Sequence, residues 1–184
     1  SLASALFLNK LTEYPLHTTT HLKLFELHPV ETLPPRLATH FPDGGFDFLT
    51  QHQSNYSIYF RYPKFKFRPS QCDILHLDIW DQEQNILSDS GTYSYNTEQE
   101  LQEYFPSTRA HNTVQFDNHE QMPRLSRFLF GKWPSAKNIL FSQNNSIIPS
   151  SGATYTDYLN CTHQRDVSLI PSDKLTIKDT VSGF

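Results

Sequence analysis

A chain of 184 residues with 37% hydrophobic and 18% charged residues is long enough to bury the core of one domain, and its composition is not that of a disordered protein. The net charge of −4 excludes the broad basic surface that attracts nucleic acid, so a polyanion would have to be bound by local cations. No run of about 18 apolar residues occurs, and no membrane insertion is expected. The two cysteines, Cys72 and Cys161, are too few for a disulfide framework and are expected to be buried free thiols.

The N-terminal part of the chain is predicted to lead into the fold. Residues 1–11 are typical of a short amphipathic helix, and residues 28–42 contain four of the 12 prolines, which favours an extended connection. We therefore expect a short helical or extended lead-in over residues 1–40, acting as a linker from something larger. One domain is expected over residues 41–184, truncated at its C-terminal end.

The rest of the chain has the spacing of short strands. Asp43, Gly44 and Gly45 predict a turn that opens a strand in GFDFLT, and NYSIYFRYPKF alternates well enough to be its hairpin partner. Further strand candidates are RLSRFLFGKW, NILFSQ, ATYTDYLNCTHQRDVSLI and KLTIKDTV. Strands at this regular spacing, separated by turn signals, predict an all-β antiparallel β-sandwich.

Residues 71–113 carry most of the side chains that could do chemistry. DILHLDIW alternates like a strand, and NILSDSGTYSYN is predicted to be a second strand that arrives at Asp89, turns at Gly91 and resumes. Glycine accepts a positive φ, and aspartate can accept a hydrogen bond from its own backbone, so Asp-Ser-Gly is ordinary turn chemistry. HNTVQF is predicted to be a third strand, beginning at His111. If these strands are neighbours, Asp89 and His111 lie close together.

Three strings in this stretch resemble one known family. LHLDIW, LSDSGTYSYN and YFPSTRAHNTVQFDNHEQ are similar to the core of the heparinase II/III-like polysaccharide lyases, most specifically over residues 71–133. The resemblance implies a supersandwich-like C-terminal β-sandwich, preceded in the same protein by an α/α toroid that would end within residues 1–40. It also implies a bacterial protein of the periplasm or cell envelope. Its partner would be an acidic polysaccharide, such as a glycosaminoglycan or another uronate polymer.

A lyase of this kind must neutralise a uronate carboxylate, remove the adjacent proton and protonate the departing glycosidic oxygen. Tyrosine and histidine suit the acid and base roles because their surroundings can move their pKa values, and a guanidinium can bind a carboxylate through two hydrogen bonds. The resemblance implies Tyr93, Tyr104 and His111 as catalytic candidates. It implies Arg109, Asn112 and Arg165 as candidates for substrate binding. Alternatively, the tyrosines serve packing, Arg109 pairs with a local acid, and Arg165 forms a buried polar bracket with His163.

The resemblance further implies zinc or another divalent cation held by His, Asp and His, which are ligands that zinc accepts. On this sequence the last two fall on Asp89 and His111, whereas the first falls on Gln71, whose amide oxygen is a poor zinc ligand. The nearby groups that could substitute are Cys72, Asp73 and His76. Strand alternation disfavours His76, because it would lie on the face opposite Gln71. Without a metal, Asp89 and His111 would hydrogen-bond each other or the backbone and fix the turn.

Two functions are consistent with these patterns. In the first, the chain forms one wall of the substrate cleft of a polysaccharide lyase that works by β-elimination, and the toroid supplies the main base. The isolated chain would then be inactive. In the second, the chain is a catalytically silent carbohydrate-binding or structural module of a surface-polysaccharide biosynthesis protein, and the feature that favours it is Gln71 in place of a metal ligand.

Overall fold

A computed structural model describes most of the chain. The described residues are Lys10–Leu11, Glu31–Thr32, 38–51, 54–142, 148–171 and 174–183. The chain divides into two compact units, Ser1–Arg36 and Leu37–Phe184. In the first unit, strand β1 (Lys10–Leu11) pairs in parallel with β2 (Glu31–Thr32). The helix predicted for residues 1–11 otherwise lies outside the described residues.

The second unit begins with a five-stranded antiparallel sheet in the order β3-β4-β5-β6-β7. Its strands are β3 (Ala38–Phe41), β4 (Phe46–Thr50), β5 (Tyr56–Arg61), β6 (Leu77–Asp81) and β7 (Gln84–Leu87). The register pairs Phe48 with Tyr59, so the hairpin predicted for GFDFLT and NYSIYFRYPKF is confirmed. Alternate residues of each strand face the two sides of this sheet.

A second antiparallel sheet has the order β10-β11-β12-β13. Its strands are β10 (Lys137–Phe141), β11 (Ser150–Thr156), β12 (Thr162–Ile170) and β13 (Lys174–Ser182). Before it, β8 (Arg124–Ser126) and β9 (Leu129–Phe130) form a small hairpin. Along β12 every second residue is buried, which is the pattern of a strand with one face against a core.

The two sheets bury a common hydrophobic core. Leu49, Ile58 and Phe60 contribute from the first sheet, and Tyr155 and Val167 from the second; all five are fully buried. Sheets packed face to face in this way form a sandwich. The predicted all-β antiparallel β-sandwich is therefore confirmed, and both cysteines are buried free thiols.

Residues 88–123 join β7 to β8 and contain no strand; we call this segment the connection. They contain helix α1 (Gln99–Tyr104) and a 3₁₀ turn at Thr108–Ala110. The strand predicted for HNTVQF is therefore wrong, as is the strand predicted to resume after the Asp-Ser-Gly turn. The side chains of Asn112 and Thr113 donate hydrogen bonds to carbonyls of the neighbouring segment, and these contacts replace a strand ladder. Among the described residues, no helix is long and apolar enough to cross a membrane.

Candidate functional site

The backbone before β6 does not alternate as a strand would. The prediction that DILHLDIW is one strand is wrong for its first half, because β6 begins only at Leu77. Residues 72–77 are buried one after another, and Leu75 has a φ of 58°, a left-handed conformation that a bulky side chain adopts only when the surroundings enforce it. Here the surroundings include Gln121, whose side-chain amide pairs with both Ile74 N and Ile74 O, at 2.9 and 3.0 Å. The distorted segment re-aims the side chain that follows it.

That side chain is His76, which lies against Asp89 and His111. Asp89 Oδ2 is 3.5 Å from His76 Nε2 and 3.2 Å from His111 Nδ1. One potential metal-ligating atom from each of these residues lies within 4.8 Å of the other two. We call these three residues the His-Asp-His cluster. The expectation that strand alternation turns His76 away is wrong, because the alternation is broken at Leu75.

The side chain of Gln71 bonds to a neighbouring turn. Its side-chain nitrogen donates to Gly91 O at 3.2 Å and to Thr92 Oγ1 at 3.4 Å. These bonds attach Gln71 to the turn that follows Asp89. The turn itself has the predicted chemistry, because Gly91 has a φ of 72° and its N–H donates to Asp89 Oδ1 at 2.6 Å.

Hydrogen bonds decide the charge of Asp89. Burial by itself would raise the pKa of this carboxyl group, but the hydrogen bonds from His111 and from the Gly91 N–H outweigh it and lower the pKa to about 2. Asp89 is therefore an anion at neutral pH. Asp89 and His111 lie close together as predicted, with His111 Nδ1 3.2 Å from Asp89 Oδ2.

The position of His76 is fixed by Asn112. Asn112 N–H donates to His76 Nδ1 at 3.0 Å, and its side-chain nitrogen donates to Leu77 O at 3.0 Å and to Ser88 O at 2.9 Å. Because Nδ1 accepts a hydrogen bond here, the neutral ring of His76 carries its own proton on Nε2, facing Asp89. Burial lowers the pKa of His76 to about 4, so the neutral ring is the form at pH 7. Asn112, a candidate for substrate binding, thus has its N–H groups occupied within the chain.

Arg165 joins the cluster to the second sheet. From β12 its Nη1 donates to Leu75 O at 2.7 Å and to Asn112 O at 2.6 Å. Its Nε and Nη2 donate to the two oxygens of Asp179, at 2.7 and 2.9 Å. Asp179 Oδ1 is also 2.6 Å from His163 Nε2. Arg165 is only 6% exposed, and its guanidinium is occupied by these contacts.

The remaining predicted residues lie together on the outside of the connection. Tyr93 is 68% exposed and stacks on Phe105, with ring centroids 5.2 Å apart. Tyr104 packs edge-on against the same Phe105, and the Arg109 guanidinium lies 5.2 Å from the Tyr104 ring centre. The chain therefore separates the candidates into an inner set at the His-Asp-His cluster and this outer aromatic set.

A cavity of about 460 Å³ lies beside the turn that Gln71 braces. Gln71 and Thr92 are part of its lining, together with Arg68, Tyr95, Phe105, Arg127 and Phe128. The Tyr95 and Phe128 rings meet edge to face at 5.8 Å. Arg127 and Phe128 were not among the predicted site residues. Their only signal was the basic and aromatic composition of RLSRFLF, which alone does not indicate a pocket.

The fold is an antiparallel sandwich, and its His-Asp-His cluster lies on segments between the strands; the class this defines is that of sandwich proteins whose loops carry the site. Residues 33–183 match the family model "Heparinase II/III-like, C-terminal". The chain belongs to this family.

Solved structures show the same fold. A heparinase III gene product with methylated lysines superposes with a TM-score of 0.67 at 22% identity, covering 92% of this chain and 25% of that one. The heparan sulfate lyase HepC from Pedobacter heparinus superposes with a TM-score of 0.64 at 18% identity, covering 90% of this chain and 26% of that one. The chain thus spans about a quarter of the length of these proteins. No curated protein matches the sequence.

Proposed function

We propose that the chain is the β-sandwich part of a polysaccharide lyase that cleaves a uronic-acid-containing polysaccharide by β-elimination, and that it forms one wall of the substrate cleft. The observation that carries this proposal is the His-Asp-His cluster within a family domain that is shared with lyases in its fold. An upstream α/α toroid of the same protein would form the opposite wall and supply the main base. A periplasmic or cell-envelope location fits such a substrate and stays a prediction.

The cavity of about 460 Å³ supports a sugar acid as the ligand. Its two guanidinium groups, from Arg68 and Arg127, can each bind a carboxylate or sulfate through paired hydrogen bonds. Its aromatic rings, from Tyr95 and Phe128, offer faces for the apolar side of a sugar ring. The overall charge of −4 makes these local cations the means of attracting an acidic polymer.

Tyr93 and Tyr104 are the proposed proton-transfer groups on this wall. Tyr93 is exposed, so its hydroxyl is accessible to a polymer that lies across the connection. Arg109, whose guanidinium lies over the Tyr104 ring, would neutralise the substrate carboxylate and thereby make the adjacent proton more acidic.

The His-Asp-His cluster has the donor types for zinc. Asp89 is ionised, and His111 Nε2 is buried without a hydrogen-bond partner among the described residues, which is costly unless water or an ion pairs with it. His76, Asp89 and His111 would hold the ion, which would supply positive charge next to the cleft. Coordination through His76 Nε2 requires that atom to lose its proton, so the ring proton would move to Nδ1 and the Asn112 N–H would have to shift.

Two measurements test the metal. Elemental analysis of the purified chain should find about one equivalent of zinc more in the wild type than in His111→Ala. The backbone amide resonance of Asn112 should move when zinc is added to metal-free protein. Equal zinc content in the two proteins, with an unmoved Asn112 resonance, would leave the cluster as a hydrogen-bonded brace.

The silent-module alternative was favoured by Gln71 in place of a metal ligand. His76 supplies the missing donor type, so that specific observation no longer favours the alternative.

The lyase proposal is tested with a protein that carries both the toroid and this domain. Incubated with uronate polysaccharides, it should form unsaturated uronate products, which absorb in the ultraviolet. Arg109→Ala should slow product formation at least about tenfold, whereas Lys178→Ala, at an exposed position of β13, should not. If polysaccharide binds but no unsaturated product forms with any uronate polymer, the silent module is correct.

A further inference from the structure

The molecule has a second group of side chains that could bind a metal ion. His119 lies in the connection, and Asp157 and Cys161 lie at the two ends of the turn that joins β11 to β12. His119 Nε2 is 2.7 Å from Asp157 Oδ2. One potential ligand atom from each of the three residues lies within 4.8 Å of the other two. Nothing in the family resemblance or in the proposed lyase chemistry assigns a role to this group.

The carboxylate of Asp157 is held in one orientation. Its side chain is fully buried, and its Oδ1 accepts the backbone N–H groups of Leu159 at 2.8 Å and Cys161 at 2.9 Å. These bonds occupy one oxygen and leave Oδ2 directed at His119. Hydrogen bonds to the far side of a ligand are the usual means by which proteins orient a metal-binding group.

The imidazole of His119 is also held in place. Its ring stacks on Phe116 at 6.1 Å between centroids and meets the Tyr158 ring edge-on at 6.0 Å. Lys132 Nζ lies 5.3 Å from the centre of the Tyr158 ring on which His119 packs. The ring is only partly exposed, so one face of the site is open to solvent and gives an ion a route of entry.

Cys161 supplies the third group. Its thiol donates to Gly183 O at 3.1 Å, and Gly183 approaches the turn so closely that a Cβ there would lie 2.4 Å from Asn160 O. Burial and the neighbouring Asp157 carboxylate raise the pKa of this thiol, so it is neutral in the absence of a metal. Binding of a divalent cation would release the thiol proton to solvent and form the metal–thiolate bond. The ring proton of His119 would move from Nε2, which faces Asp157, to Nδ1, so that Nε2 could bind the ion.

We propose that His119, Asp157 and Cys161 form a zinc site, separate from the His-Asp-His cluster, which ties the connection to the β11–β12 turn. Thiolate, imidazole and carboxylate together are a donor set that zinc accepts in tetrahedral sites. The fourth position is open to water or to the Gly183 carbonyl. Because the ligands come from segments far apart in sequence, the ion acts as a cross-link and stabilises the folded state by mass action.

Cobalt spectroscopy separates the two sites, because only this one contains sulfur. Metal-free chain under a non-coordinating reductant is titrated with Co²⁺, and a sulfur-to-cobalt charge-transfer absorption is expected to saturate at one equivalent. The band should be absent in Cys161→Ser. In His119→Gln, the Co²⁺ affinity obtained from the titration should fall at least about tenfold. It should persist in His111→Ala, which alters the other cluster, and in Cys72→Ser, which removes the other buried thiol.

Thermal unfolding supplies a second readout. Stoichiometric zinc should raise the melting temperature of His111→Ala, and this rise should be abolished when His119→Gln is added to it. His119→Gln keeps the thiol and the turn, so it remains informative if Cys161→Ser does not fold. A wild-type chain that shows no sulfur-to-cobalt band, or a band that survives Cys161→Ser, overturns the proposal. Neither outcome bears on the lyase proposal, which depends on other residues.

Discussion

Arg165 shows how much of the site depends on one side chain. Its guanidinium bonds to the carbonyls of Leu75 and Asn112, which flank His76 in space, and to both oxygens of Asp179 on the adjacent strand. Four hydrogen bonds from a buried cation to fixed acceptors leave it little freedom. Arg165 is thus a positioning residue for the distorted segment before β6.

Replacement of Arg165 by methionine should destabilise the fold by roughly 3–5 kcal/mol, because it leaves a partly buried carboxylate and two carbonyls without their partner. Urea unfolding measures this change, and the exposed Arg109→Met serves as the control, with an expected change within about 0.5 kcal/mol. A loss of stability in Arg165→Met no larger than that of the control would mean that water replaces the guanidinium at no cost.

The ionisation of Asp179 predicts that the free energy of unfolding depends on pH. Burial alone would raise its pKa, but hydrogen bonds from His163 and Arg165 outweigh this effect and hold the pKa well below the usual range. A carboxyl group with a lowered pKa in the folded state stabilises the protein above its unfolded pKa, about 3.9, and loses this contribution as the pH falls. The stability gap between the wild type and Asp179→Asn should therefore narrow from pH 6 to pH 3 in urea unfolding. A gap that stays constant over this range would contradict the assignment.

At the scale of elements, one buried contact joins the two sheets. Asp47 on β4 is fully buried, and its carboxylate accepts hydrogen bonds from Ser151 on β11 and from His40 at 2.6 Å on β3. Burial raises the pKa of Asp47 despite these partners, which indicates that its charge is poorly solvated. A donor from the opposite sheet is therefore important to this carboxylate.

Ser151→Ala should lower the free energy of unfolding by about 1–3 kcal/mol, because it removes the hydroxyl donor and leaves the buried Asp47 carboxylate in place. Chemical denaturation checks the value, with the exposed Ser126→Ala on β8 as the control. A double variant that also carries Asp47→Asn should lose less than the sum of the two single variants, since the two residues share one contact. Additive losses would show that the hydrogen bond does not couple the sheets.

Alternation and turn chemistry were sufficient to predict the sandwich and the β4–β5 hairpin, because both depend on local periodicity. They failed at the segment before β6. Leu75 adopts a left-handed φ under the influence of Gln121, which is 46 residues away in the sequence, and no local pattern contains that information. Asp89 and His111 were predicted to meet, whereas His76 was assigned to the wrong side for this reason.

The same limitation applies to the second metal-ligating group. His119 in QFDNHEQ appears as a polar turn in the sequence, and its partners lie in a turn about 40 residues later. Only the pairing of the connection with the β11–β12 turn brings the imidazole to Asp157 and Cys161.

At the scale of the second unit, the regular sheets form the core, and the irregular connection contributes Asp89 and His111 to one cluster and His119 to the other. Such connections usually sample open conformations more readily than the strands around them. This connection is tied to the sheets by side chains instead of by a backbone ladder. Gln121 binds the segment before β6, Asn112 binds the ends of β6 and β7, and Arg165 reaches across from β12.

Because Arg165 bonds the connection to β12, we expect the connection to unfold locally only when β12 does. The Asn112 amide proton is bonded to a histidine nitrogen in a loop, where fast hydrogen–deuterium exchange would ordinarily be expected. Here it should exchange as slowly as the amides of β12, and Arg165→Met should accelerate its exchange while leaving the central amides of β5 protected. The loop that carries the site would then open only together with the sheet behind it.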